Sequence, residues 1–321
     1  MRIGLLNNLR AGRSADRVSR LLRFLKGHPD VVSVETDSAL AVPDALSVLA
    51  RQEVDVLAIN GGDGTIQHAL TEILGHRAFE DRVPLIAPLR GGRTNMTALD
   101  LGARRDPVKG MADLIAAARE GTLAERIEER PVLRVQYGAN REFLYGMFFG
   151  GGMIYKAIEL NHRLFKQNSR SQGVFGATLL TAGLVGRACV GGTGTGILEP
   201  NKVQILLDGD PVAGGEYLMV ISTSLDRLFA GMRPFWGTGM GGVRFTAISS
   251  EVKNVLGAFS GIMRGRPRAF VTEENGYLSR NVKCAEMRFD CGFTVDGELV
   301  MPDPGCVVTL TADDSVQFVR A

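Results

Sequence analysis

The sequence predicts two domains of different class: an N-terminal α/β domain with a mostly parallel sheet over residues 1–125, and a mainly antiparallel β-sandwich over residues 126–321. Three observations predict this. Over the first part, short β-branched runs alternate with helical periodicity, as in a parallel sheet covered by helices. After Gly121 the texture changes to short alternating runs separated by turn residues, as in antiparallel strands. The length, 321 residues, also exceeds the usual size of a single core.

The elements follow in order. Residues 3–6 form a first strand, and the loop 8–13 ends at Ser14, an N-cap for a helix carrying Val18, Leu21, Leu22 and Leu25. Residues 31–34 are a second strand, and Pro43 opens a helix through Ala45, Leu46 and Leu49. The apolar run 54–59 is the buried central strand, ended abruptly by Gly61-Gly62-Asp63-Gly64-Thr65. Ile66, Ala69, Leu70, Ile73 and Leu74 then recur at helical spacing, with Thr65 placed to cap the first turn. A short strand at 85–87 runs into a second glycine turn, Gly91-Gly92-Arg93-Thr94-Asn95, and 107–118 is an amphipathic helix. Ligands of such sheets bind beyond the carboxyl ends of the strands, where both glycine turns lie.

In the second domain, strands are expected at 132–137, 143–148, 203–207, 217–222 and 243–248, with hairpin turns at Asp208-Gly209 and Asp296-Gly297. The last strand is free to return to the first domain. A helical insertion near 155–190 interrupts the pattern, carrying Ile158, Leu160, Leu164 and Phe165. Within it, the uncharged stretch 171–186, bracketed by Arg163, Lys166, Arg170 and Arg187, either packs as a core helix or forms an apolar lid meeting lipid. The glycines at 150–152, 191–196 and 237–242 read as turns and bulges.

Composition excludes several classes. Apolar residues make up 45% and charged residues 22%, ordinary globular usage, and a net charge of +2 is too mild to argue for a nucleic-acid partner. The four cysteines, Cys189, Cys284, Cys291 and Cys306, show no Cys-x-x-Cys pair and read as reduced thiols of a cytoplasmic protein. The N-terminus has too short an apolar run for a signal peptide, and no run reaches the ~20 apolar residues of a transmembrane segment. His28, His68, His76 and His162 show no metal-ligand spacing.

The chemistry is concentrated at the first glycine turn. A strand, a glycine turn and a helix N-terminus gather free backbone N–H groups and the positive helix end at one point, which suits phosphate. Asp63 among these glycines either caps the helix or serves a Mg²⁺ ion or a hydroxyl proton. Glu298, just past the Asp296-Gly297 turn, is either a solvated residue or a carboxylate held on a rigid hairpin as a general base.

Together, Gly61 to Thr65 after a buried strand, the turn at Gly91 to Asn95, an early Asn8-x-x-x-Gly12 loop and the late Asp296-Gly297-Glu298 resemble the diacylglycerol kinase catalytic-domain superfamily, which includes bacterial lipid kinases, sphingosine kinases and ceramide kinases. The resemblance implies a nucleotide-binding α/β domain, a β-sandwich and an active site in the cleft between them. It implies that ATP phosphates lie on Gly61, Gly62, Gly64 and Thr65, and that Asn8, Thr94 and Asn95 help hold the nucleotide. Asp63 and Glu298 would flank the reacting hydroxyl, with the catalytic Mg²⁺ brought by ATP to Asp63. The implied reaction is transfer of the γ-phosphate of Mg-ATP to the primary hydroxyl of a membrane lipid, by a protein lying peripherally on the inner face of the membrane, with a homodimer allowed.

The chain departs from that pattern twice. Where many members have Gly-Thr-Gly-Asn-Asp and an aromatic, it has Gly91-Gly92-Arg93-Thr94-Asn95-Met96, so an Asp is missing and Arg93 adds a cation that can reach phosphate. No Asp or Glu occurs between Arg227 and Ser250, where several members carry acids for a structural Mg²⁺, so that site is expected to be absent. The altered turn tilts the expected acceptor from diacylglycerol toward ceramide, and the lack of an acid in 150–154 tilts it away from sphingosine. The alternatives are a soluble NAD kinase, which shares the Gly-Gly-Asp-Gly-Thr turn, and a catalytically silent lipid-binding protein of the same fold.

Overall fold

The computed structural model describes residues 1–10, 15–165, 196 and 199–321. The expectations placed on Gly12, Ser14, Lys166, Arg170, Arg187, Cys189, the 171–186 stretch and the glycines of 191–195 lie outside these residues. The chain divides into two units, one made of Met1–Pro131 with Asp314–Ala321, the other of Val132–Asp313.

In the first unit β1 (Ile3–Asn8), β2 (Val32–Thr36), β3 (Val56–Gly61) and β4 (Leu85–Arg90) form a parallel sheet in the order β2-β1-β3-β4. The helices are α1 (Ala15–Leu25), α2 (Val42–Arg51), α3 (Asp63–Leu70), α4 (Met96–Asp100) and α5 (Pro107–Glu120). Every residue of β3 is buried, which is why its run Val56–Ile59 is continuously apolar rather than alternating. Ile3, Leu5, Val56, Ala58, Ala87 and Leu89 form one core with Leu21 of α1 and Met111, Leu114 and Ile115 of α5. On the opposite face a Cβ added at Gly4 would meet Leu49 of α2 at 2.9 Å, so the helix sits against bare backbone there. Helices thus cover both faces. The end of the last strand joins this unit, pairing Phe318 with Ile86 in parallel, and Val319 is fully buried in the core.

The strands run further than the apolar pattern predicts, β1 to Asn8, β3 to Gly61 and β4 to Arg90. Hydrophobicity marks where a strand is buried between helices. Its carboxyl end carries polar residues and glycines that the pattern does not count.

The second unit is antiparallel. One sheet runs β15 (Glu298–Val300), β14 (Phe293–Val295), β7 (Phe148–Gly152), β10 (Glu216–Thr223), β11 (Val243–Ser249) and β12 (Tyr277–Val282). Another runs β9 (Asp210–Pro211), β8 (Asn201–Leu207), β13 (Cys284–Phe289) and β16 (Val307–Val319), flanked by β5 (Ile127–Tyr137) and β6 (Glu142–Gly146). The division between the units falls inside β5 and β16. Phe149, Val220, Phe245 and Phe293 of one sheet share a core with Ile205, Met287, Val308 and Leu310 of the other, as in a β-sandwich. α6 (Met153–Phe165) follows β7, and α7 (Val255–Ile262) follows β11.

Both hairpin turns form as expected. Asp208 and Gly209 have φ of 52° and 89°, Asp296 and Gly297 49° and 97°, the paired left-handed residues of a tight hairpin. The run at 143–148 is split in two at Met147, whose N–H donates to Asp296 Oδ2 (2.8 Å) and whose carbonyl accepts from Thr223 Oγ1 (2.6 Å). Gly150 and Gly151 are strand residues rather than the expected turn, whereas Gly152, with φ of 65° at the end of β7, turns the chain into α6. A Cβ on Gly150 would meet Ile154 at 2.6 Å and one on Gly151 the Phe289 ring at 2.8 Å, so they are small for packing. No helix among the described residues is long and apolar enough to cross a membrane.

Candidate functional site

The site grows from the carboxyl ends of β1, β3 and β4. Asn7 and Asn60 stand opposite each other in the β1/β3 register, and Asn60 Nδ2 donates to Asn7 Oδ1 at 2.8 Å. Both side chains are buried, and Asn7 Nδ2 and Asn60 Oδ1 have no partner among the described residues. Sequence reasoning missed this pair. The signal was an asparagine in register at the end of each of two apolar strands.

Next comes the turn into α3. The helix begins at Asp63, two residues before the expected cap, with Gly62 as N-cap at φ −94°, ψ −178° and no side-chain cap. Thr65 therefore lies inside the first turn, and its hydroxyl instead accepts from Asn8 Nδ2 at 2.9 Å. A glycine N-cap has nothing to offer the first-turn N–H groups, so those of Gly64 and Thr65 have no intrahelical acceptor and the positive helix end stays available. A Cβ on Gly61 would lie 2.5 Å from Thr65 Cβ, so this turn closes only with glycine.

The second turn lies against the first. A Cβ on Gly92 would run into Gly62 Cα, and one on Gly91 into Asn60 Oδ1. The two glycine pairs thus meet backbone to backbone. Asn95, in the left-handed region at φ 50°, ψ 47°, holds the second turn closed: its Oδ1 accepts from Gly92 N and its Nδ2 donates to Gly92 O, both at 2.7 Å. Thr94 is buried beside it and Arg93 is half-buried.

Asp63 joins these parts. It is 7% exposed, and its Oδ1 accepts from Thr97 N at 3.1 Å, so it caps the turn that opens α4. Burial pushes its carboxyl pKa up, opposed by N–H groups of residues 95–97 and by its own. A carboxylate held this way is a better proton acceptor than a solvated one.

The structure thus brings Asn8, Gly61, Gly62, Asp63, Gly64, Thr65, Arg93, Thr94 and Asn95 to one edge of the first unit's sheet. Glu298 belongs to the second unit, exposed as the first residue of β15, opposite Val295.

The donor set fits a nucleotide's phosphates: uncapped N–H groups, four glycines without side chains, and buried amide atoms still seeking partners. For Mg²⁺, no group of three or more His, Cys, Asp or Glu side chains that could hold a metal occurs among the described residues. One carboxylate, Asp63, fits a metal that arrives already bound to phosphate oxygens.

Asn8→Ala removes a half-buried bond between β1 and α3, and a loss of about 0.5–1.5 kcal/mol is expected. Chemical denaturation checks it, and an unchanged midpoint would show that the bond has no net worth.

Residues 2–124 match the family model described as diacylglycerol kinase catalytic domain. Among solved structures, the chain is similar to a diacylglycerol kinase from Bacillus anthracis strain Sterne, with 16% identity and a TM-score of 0.62, over 100% of this chain and 97% of that one. Two others from the same strain, provisionally described as diacylglycerol kinases, give 18% identity with a TM-score of 0.65 and 17% with 0.67, at the same coverage. These likenesses show a shared fold. No curated protein matches the chain in sequence.

Proposed function

We propose, from the match of residues 2–124 to the diacylglycerol kinase catalytic-domain model, that the chain transfers the γ-phosphate of ATP to the primary hydroxyl of a membrane lipid of diacylglycerol or ceramide type. The observation that carries this reading is the backbone contact between the Gly61-Gly62 and Gly91-Gly92 turns beside the uncapped start of α3. Such a surface accepts phosphate oxygens at close range and offers no side chain to block them.

Each residue then has a physical task. The N–H groups of Gly64 and Thr65 take phosphate charge, and Asn8 fixes the Thr65 hydroxyl. Asn95 works indirectly by shaping the turn, and Arg93 supplies a cation to the phosphates. When bound, Mg²⁺ neutralises charge on the phosphate oxygens, with Asp63 as its protein carboxylate. Asp63 and Glu298 are the two carboxylates assigned to the acceptor: one takes the hydroxyl proton as oxygen attacks phosphorus in line with the departing ADP, the other orients it. Work on such a lipid places the protein at the inner face of the membrane from the cytoplasmic side.

The test is transfer of labelled γ-phosphate from Mg-ATP to diacylglycerol, ceramide and sphingosine in detergent micelles, and to NAD without detergent. Label in diacylglycerol or ceramide is the expected result and names the acceptor. Label in NAD alone, or none in a protein that binds ATP, overturns the lipid-kinase reading.

A further inference from the structure

α7 has an unusual surface. Its sequence, Val255-Leu-Gly-Ala-Phe-Ser-Gly-Ile262, has no charged residue, and it buries only Ala258 and Ile262. Leu256 is 69% exposed and Phe259 46%, one turn apart on the outer side. An ordinary amphipathic helix would present polar groups there.

Cations surround this face. Lys253, Arg264, Arg266 and Arg268 are all exposed, no Asp or Glu occurs from 252 to 272, and none of the four is paired with an acid among the described residues. Neighbouring Arg280 is neutralised by Glu273, and Arg244 by Asp226. The remaining nearby acids, Glu251 and Glu274, stand at the margins of the segment.

The surface is held rigid from below. Ile248, Ala258, Ile262, Val271 and Tyr277 form a small core with Trp236 and Met263 packed against it. Asn254 caps the helix through Gly257 N at 3.2 Å, and Tyr277 donates to Lys253 O at 2.7 Å. After the helix, Arg266 N donates to Gly261 O at 2.9 Å and Arg233 N to Met263 O at 2.8 Å. The exposed Leu256 and Phe259 are therefore presented by a fixed frame.

We propose that α7 and the turn Arg264 to Arg268 are a docking surface for an anionic lipid bilayer, with Leu256 and Phe259 entering the headgroup boundary and the four cations meeting lipid phosphates. Charge complementarity selects this occupant: the patch is apolar at its centre, cationic at its rim and free of carboxylates from residue 252 to 272, which matches a negatively charged surface over hydrocarbon. The proposal deepens the lipid-kinase reading and rests on it for its purpose, which is to hold the enzyme where its acceptor lies.

The test is sedimentation of the full chain with phosphatidylcholine vesicles, with and without phosphatidylglycerol. The variants are L256S/F259S and R264Q/R266Q/R268Q, with thermal melts to confirm folding. Expected are wild-type binding only to the anionic vesicles, weakened by salt, and a loss of about tenfold or more in partitioning for each variant. Trp236, the single tryptophan, should be quenched by brominated lipid in wild type and not in L256S/F259S. Binding of both variants at wild-type strength overturns the proposal, as does equal wild-type binding to neutral vesicles. So does a shift of wild-type dimer to L256S/F259S monomer on gel filtration without loss of vesicle binding, which makes this a face between copies. Phosphate transfer to diacylglycerol or ceramide in micelles is measured in parallel and should be unchanged in both variants. Absence of transfer in wild type condemns the kinase reading alone, and unimpaired vesicle binding by both variants with intact transfer condemns the docking surface alone.

Discussion

Asp63→Asn is expected to lose about 100-fold or more in phosphate transfer, the usual worth of a positioned acid or base, while becoming no less stable. Burial raises the Asp63 pKa above its ordinary 3.8 in the folded protein. The folded state thus holds this proton more tightly than the unfolded chain. Its stabilising contribution is complete below pH 3.8 and is lost as pH rises through the higher folded value. Asparagine cannot ionise, keeps an oxygen for Thr97 N and escapes that loss. Without nucleotide or metal, the variant should melt at or above wild type at pH 8, and the gain should vanish toward pH 4 or below. Glu298→Gln, exposed on its hairpin, should lose transfer on a similar scale of about 100-fold. Both variants retaining near-normal transfer would remove the carboxylates from the mechanism, and a lower melting point for Asp63→Asn at pH 8 would show that its hydrogen bonds outweigh its burial.

Gly92→Ala is expected to cost about 1–3 kcal/mol of stability and most nucleotide binding. The added methyl would run into Gly62 Cα, which is backbone and cannot swing aside, so the two turns must separate. Gly62→Ala makes the informative contrast. Its Cβ would lie 3.5 Å from Gly92 Cα, an ordinary contact, and its φ of −94° suits alanine. That variant should melt near wild type yet bind ATP about tenfold or more weakly, because in the proposed function phosphate oxygens approach the backbone of this turn at close range. Thermal melts and nucleotide titration of the pair separate the contributions. If Gly62→Ala binds ATP normally, the phosphates do not lie on this turn.

Much of this was legible in the sequence because each signal was local. The apolar run ending at Gly61 marked β3, and Asp208-Gly209 and Asp296-Gly297 marked hairpins through the backbone angles they favour. What was not legible depended on a partner far along the chain. Thr65 looks like a helix cap on spacing alone, yet Asn8, from β1, claims its hydroxyl. Asp63 looks like a free carboxylate among glycines, yet Thr97 occupies one of its oxygens. Gly150 and Gly151 look like part of a turn until the Phe289 ring is seen against Gly151.

The path of the last strand bears on how the protein is made. Val316, Phe318 and Val319 are buried parts of the first unit, but a ribosome reaches them only after the whole segment 132–313 has been synthesised. The N-terminal sheet must therefore wait, its β4 flank lacking a neighbour, while the sandwich segment that began later has all of its chain first. Vectorial synthesis here favours a late-closing first unit, exposed to chaperones and proteases until residues 314–321 arrive.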